Sequence, residues 1–140
     1  GELGHTSIKF DGKKCECGNL GCLEAYAAIP NLLSGSRFSC WEDILNERHI
    51  SEEAQKLFEM EAEYLSAGII NLANLTGIDT VLLAGDIKTD GAEIASLVEK
   101  KGNERILHHP IHVYPASFDA NIKPLASAEI VFDRYLSVYR

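Results

Sequence analysis

The sequence is short of positive charge: 13 Lys and Arg stand against 21 Asp and Glu, giving a formal net charge of −8 and a pI near 5.0. Phosphate backbones are bound by clustered cations that release counterions, so this segment offers no nucleic-acid surface of its own. If DNA is involved, another segment must touch it. Long apolar runs are also missing. Nothing approaches the roughly 20 continuous apolar residues of a membrane span, and no charged n-region precedes an apolar stretch and a cleavage site. A soluble, unexported, cytoplasmic protein with no membrane partner is expected. Cysteine is scarce as well. Three of the four cysteines crowd into positions 15 to 22 while Cys40 stands alone, a distribution that suits metal binding in a reducing compartment better than a disulfide framework. There is no internal repeat, low-complexity tract or linker, so residues 1–140 read as a single domain. With 46% hydrophobic residues the chain is long enough to bury a core. It also lacks an initiator Met. Gly1-Glu2-Leu3-Gly4-His5 reads as the interior of a motif, and a segment of a longer protein is expected.

What is present reads as alternating elements. Ile8 and Phe10 alternate with Ser7 and Lys9, and Asp11-Gly12 supplies a turn, so Thr6 to Phe10 predicts a short strand entering a hairpin. After Cys22 an apolar, Ala-rich run predicts a helix that bends or ends near Ile29, because Pro30 cannot donate a helical hydrogen bond. Ser34-Gly35-Ser36 is a loop and Trp41 to Leu45 a short amphipathic turn. Ser51 followed by Glu52 and Glu53 is an N-cap with acids that complement the helix dipole, opening a long helix to about Leu75. Its Tyr64, Leu65, Gly68, Ile69 and Leu72 recur at helical spacing and face a core, with Gly68 marking close packing. Thr80 to Ala84 predicts a strand buried on both faces, with Gly85-Asp86 in the loop at its carboxyl end. Ile94, Leu97 and Val98 form a helix stripe, Ile111 to Tyr114 a second strand, and Leu125 to Tyr139 a terminal helix. This order implies a parallel α/β layer. His108 and His109 read as loop residues, since adjacent side chains at a strand start point apart.

The cysteine segment carries the clearest chemistry. Cys15, Cys17 and Cys22, with His5 before them, offer three thiolates and an imidazole, the Cys3His set that satisfies tetrahedral zinc with no open position. Such a closed site is structural. Gly18 and Gly21 permit the tight turns that bring the sulfurs together, and Lys13 and Lys14 offset thiolate charge. The alternative is three buried cysteines with an unrelated His. Cys40 reads as a small hydrophobe beside Trp41.

These residues resemble a known family. Gly1-Glu2-Leu3-Gly4-His5 followed by Cys15-Glu16-Cys17-Gly18-Asn19-Leu20-Gly21-Cys22-Leu23-Glu24 closely resembles the G-E-x-G-H and C-x-C-G-N-x-G-C-L-E elements of the ROK family of sugar-responsive repressors, uncharacterised reading frames and sugar kinases. The resemblance implies an α/β, actin-like ATPase (ribonuclease-H-like) fold, of which this chain is part of the C-terminal lobe. It further implies that Glu2, His5 and Glu24 hold sugar hydroxyls, with His5 binding zinc through one ring nitrogen and offering the other to the sugar. Without the resemblance, Glu2 is a solvated acid and Glu24 a favourable charge in a first helical turn.

The kinases of this family need a D-x-G-x-T phosphate loop and a general-base Asp in an N-D context, and neither occurs in this chain. Where they carry a Gly-Gly pair after the strand, this sequence has Ala84-Gly85-Asp86, whose methyl and acid oppose a triphosphate. That variant resembles the NagC/XylR-type repressor branch. The reading is therefore the effector-binding, dimerising part of a transcriptional regulator, with a structural Zn2+, a sugar or sugar phosphate as ligand, a homodimer as assembly, and DNA reached through an N-terminal helix-turn-helix outside this chain. The alternative is the C-terminal half of a glucokinase-like ROK sugar kinase using ATP and Mg2+. A third reading is an independent zinc-stabilised interaction domain.

Overall fold

The structure, a computed structural model, describes residues 2–84, 91–107 and 109–116. The helix expected over Leu125 to Tyr139, together with Gly85, Asp86 and His108, lies outside the described residues. In chain order the elements are α1 (Glu24–Ala27), α2 (Ile29–Leu32), α3 (Trp41–Glu47), α4 (Glu52–Thr76), β1 (Thr80–Leu83), α5 (Gly91–Asn103) and β2 (His112–Pro115), preceded by a 3-10 turn at Leu3–His5. The two strands pair in parallel, with Val81 beside Val113 and Leu82 beside Tyr114, so the parallel α/β layer is observed, with β2 starting one residue later than expected.

Helix α4 is the spine of the molecule. Ser51 accepts the Ala54 N–H through its hydroxyl, satisfying one of the donors that a helix start leaves free. Gly77, at φ 74, ends the helix by donating its N–H to Ala73 O, a left-handed cap that glycine adopts without strain. Against α4 pack α3, α5 and α1. The core between them contains Trp41, Ile44, Phe58, Ile69, Ile94, Val98, Ile111 and Val113, and Trp41 stacks on Phe58 with ring centroids 5.6 Å apart. The end of α5 is pinned to the strand that follows: Asn103 donates to Ile111 O and accepts the Ile111 N–H.

Four expectations need correction. Thr6 to Phe10 is not a strand. Only isolated antiparallel bridges occur there, Ser7 with Cys22 and Lys14 with Leu20, because the N–H groups of Ile8 and Lys9 both converge on Gly21 O instead of alternating along a ladder. Phe10 is left 95% exposed. Trp41 to Leu45 belongs to a true helix, α3, which runs on to Glu47. Cys40 is exposed, not packed beside Trp41. It is the N-cap of α3, where Asp43 Oδ2 accepts the N–H groups of Ser39 and Cys40, and its side chain faces the Asp43 N–H at the helix start while Trp41 is buried in the core. Strand β1 is not buried on both faces: Val81 and Leu83 pack on the core while Leu82 is 57% exposed, since among the described residues only one face of the two-stranded sheet is covered.

The helix expected after Cys22 is α1, which stops short of Ile29, and the separate α2 beyond it was not expected. The first ends at Ala27 and the second starts at Ile29 with Pro30 in its first turn, where a missing N–H costs nothing.

Candidate metal centre and its surroundings

The knuckle is shaped by its backbone. Cys15 N–H donates to Asn19 O, Gly18 N–H to Cys15 O, Gly21 N–H to Lys13 O and Leu23 N–H to Thr6 O, all between 2.8 and 3.0 Å. Gly18 and Gly21 have φ of 92 and 69. At Gly21 a Cβ would also lie 1.6 Å from Lys9 O, so no side chain fits.

This wrapping gathers His5, Cys15, Cys17 and Cys22, whose ligand atoms all lie within 4.8 Å of one another. Cys17 Sγ is 3.7 Å from Cys22 Sγ, and Cys15 Sγ is 3.7 Å from His5 Nδ1. Tetrahedral zinc with Zn–S near 2.3 Å holds its sulfurs ~3.8 Å apart, so the donors already stand at close to ligating separation. The cluster can hold a metal ion such as zinc. The hydrogen bond that a protonated His5 donates to Cys15, then the Glu24 and Glu2 charges, hold the His5 pKa above its ordinary value. The Asn19 N–H pulls the exposed Cys17 thiol below its ordinary value, while burial pushes the Cys22 thiol up to about 11. A bound cation reverses that last effect, because a coordinating thiol gives up its proton.

The two acids lie on the imidazole. Glu24 Oε2 is 3.1 Å from His5 Nδ1, and Glu2 Oε2 is 3.4 Å from Nε2. Thus Glu2, His5, Cys15, Cys17, Cys22 and Glu24 form one constellation, with His5 common to the thiols and the carboxylates. Beside it opens a cavity of about 510 Å3 lined by Lys13, Lys14, Cys15, Glu24, Asn31 and Ser34 among others. Lys13 does not sit on the thiolates: its Nζ lies 5.1 Å over the Tyr26 ring. Ala84 follows β1, is exposed, and takes no part in this cluster; Gly85 and Asp86 lie outside the described residues. His109 is an exposed loop residue, as expected.

Three residues carry weight that the motif does not reveal. Tyr26 accepts the Lys13 N–H at 2.7 Å, and its ring centroid stands 5.1 Å from that of Tyr64 on α4, tying the knuckle to the spine. Glu61 lies inside α4's buried face, 1% exposed, with no hydrogen-bond partner for Oε2 among the described residues. Its spacing of three from Phe58 and Tyr64 is the signal that places it on the packed side.

Comparison with known proteins matches the ROK family model to residues 1–126. A xylose repressor of Bacillus subtilis (strain 168) is 27% identical over 146 residues, covering 99% of this chain and 38% of the repressor. An N-acetylmannosamine kinase of Vibrio vulnificus is 28% identical over 93 residues, covering 62% of this chain and 31% of the kinase. A crystal structure of a ROK family transcriptional regulator, a homologue of the E. coli Mlc protein, superposes with a TM-score of 0.71 at 24% identity, covering 86% of this chain and 35% of that one. The architecture is an α/β fragment of the actin-like ATPase fold found in ROK structures. The chain spans about 38% of the length of the repressor it matches.

Proposed function

The chain belongs to the ROK family, and from that premise we propose that it is the sugar-sensing part of a NagC/XylR-type transcriptional regulator whose DNA-binding portion lies elsewhere in the protein. One observation carries the reading: the carboxylates of Glu2 and Glu24 converge on the two ring nitrogens of His5. Carboxylates accept hydrogen bonds from neighbouring hydroxyls, and an imidazole can donate or accept, so the group suits a polyol. A metal held by the four knuckle donors would supply cohesion and fix the ring through Nδ1, the nitrogen that faces Cys15, and would thereby release Glu24 from its contact with that nitrogen. Nε2 and the two carboxylates are then the groups that meet the sugar. Matched length against xylose repressors supports a pentose as the first ligand to try.

Sugar binding acts on DNA only if the ligand prefers one of two arrangements of the protein. In the proposed regulator that arrangement is the closure of this lobe on its partner lobe, relayed through a homodimer in which the outer face of α4 is the contact. Light scattering with and without ligand checks the dimer.

The second reading, part of a ROK sugar kinase, is favoured by the similarity to N-acetylmannosamine kinase. Ala84-Gly85-Asp86 in place of a Gly-Gly pair speaks against it on steric and charge grounds. Calorimetry of the full-length protein with xylose, glucose, amino sugars and ATP separates the two. The regulator reading expects sugar binding without nucleotide turnover, and sugar-dependent ATP hydrolysis would sink it. No affinity for any sugar would favour an interaction domain.

A further inference from the structure

The three clustered thiols differ in access. Cys15 is 5% and Cys22 0% exposed, whereas Cys17 is exposed. Cys17 Sγ also stands 3.7 Å from Cys22 Sγ, while Cys15 Sγ contacts His5 Nδ1 at 3.7 Å and lies within 4.8 Å of the other two sulfurs. A small electrophile arriving from solvent meets Cys17 first and has Cys22 directly behind it. From this arrangement we propose that Cys17 and Cys22 form an oxidation-sensitive pair, linked as a disulfide by hydroperoxides, and that the link dismantles the metal site.

The sulfur of Cys17 attacks the O–O bond of the hydroperoxide, an S–O bond forms as the O–O bond breaks, and Cys17 becomes a sulfenic acid. The sulfur of Cys22 then attacks the Cys17 sulfur, an S–S bond forms, and the oxygen leaves as water. In sum two thiols and one hydroperoxide give one disulfide, one alcohol and one water, the two electrons passing from sulfur to the peroxide oxygens. The geometry allows the closure. The 3.7 Å between the sulfurs is closed to the ~2.05 Å of a disulfide by a small movement of the exposed Cys17 side chain. A Cys15–Cys17 link would instead have to close a ring over one intervening residue. After the link forms, His5 and Cys15 remain, and two donors do not make a closed tetrahedral site.

The inference is independent of which sugar, if any, is bound. Its test treats the zinc-loaded protein with hydrogen peroxide, follows released zinc with a chromophoric chelator, and maps disulfides by mass spectrometry after alkylation. Loss of one zinc and two thiols per chain is expected, with a Cys17–Cys22 linked peptide. Both effects should be reversed by a thiol reductant with added zinc, and both should persist in Cys40→Ser. A Cys15–Cys17 link would overturn the proposal, as would retention of zinc while Cys40 alone is oxidised. Since Cys17→Ser removes a ligand, a second measurement keeps every ligand and the folded knuckle in place: brief iodoacetamide treatment of the reduced, zinc-loaded protein should label Cys17 ahead of Cys15 and Cys22. Equal labelling of the three would contradict the order of access on which the pair depends.

Discussion

Where α3, α4 and α5 meet, Ile44, Ala54, Ala62, Ile94 and Val98 are each fully sealed from solvent, whereas the knuckle's own apolar cluster amounts to Cys15, Cys22, Ala25 and Tyr26, with Ile8 and Tyr64 against it. At about 25 cal/mol per Å2 of apolar surface, the helical body draws its cohesion from burial and the knuckle draws little. The knuckle relies instead on backbone hydrogen bonds folded around two glycines and on four donors that repel or compete for protons unless a cation sits among them. The lesson is that two neighbouring parts of one chain can hold their shape by different physics and should fail under different insults.

The largest expected effect of that difference is on metal removal. Structural zinc contributes on the order of 10 kcal/mol to small zinc-folded peptides, so chelation should release the amide protons of Cys15, Gly21 and Leu23 to fast hydrogen exchange while those of Ile69 and Ile70 on α4 stay protected. Knuckle amides that remain protected without metal would break the comparison. The reciprocal insult is Ile44→Ala, which empties a fully buried site. A loss of ~2–5 kcal/mol in urea unfolding is expected, with zinc stoichiometry unchanged.

A smaller effect lies in the body's one flaw. Burial pushes the Glu61 carboxyl from 4.5 to about 8. Below the lower value both folded and unfolded chains hold the proton and stability is full. As pH rises toward the upper value the unfolded chain gives the proton up first, so stability falls, levelling once the folded carboxyl also ionises. Glu61→Gln should remove that slope and raise stability at pH 8 by roughly 1–3 kcal/mol, because an amide does not ionise in the unfolded chain. An unchanged slope in thermal melts from pH 5 to pH 8 would show that the carboxylate is solvated after all.

Much of the site was legible because cysteine spacing is informative by itself: His5, Cys15, Cys17 and Cys22 need only adjacency, and the structure brings them together. Helix α4 was legible from Ser51-Glu52-Glu53 at its start and its apolar stripe. What failed had a common cause. Alternation at Ile8 and Phe10, and the apolar run at Val81 to Leu83, state a preference for burial without stating what covers each face, and the covering elements are set by tertiary packing. Cys40 was misplaced because a residue's average burial says nothing about an N-cap whose partner, Asp43, only a formed helix presents. Glu61 was missed because a carboxylate is ordinarily read as solvent-facing, even on a packed stripe.

The contact at Gly68 carries a further consequence. A Cβ there would lie 2.5 Å from Leu23 Cδ2, so the spine bears a notch one methyl deep, and the residue seated in it stands between Cys22 and Glu24. The neighbours of Gly68 on the same helix face, Tyr64, Leu65 and Leu72, all carry side chains. The knuckle is thereby indexed to a single level of the 25-residue rod: Leu23 has room at the turn of Gly68 and at neither adjoining turn of that face. The glycine works as a graduation mark, setting the height of Leu23 and Glu24 against the rest of the molecule.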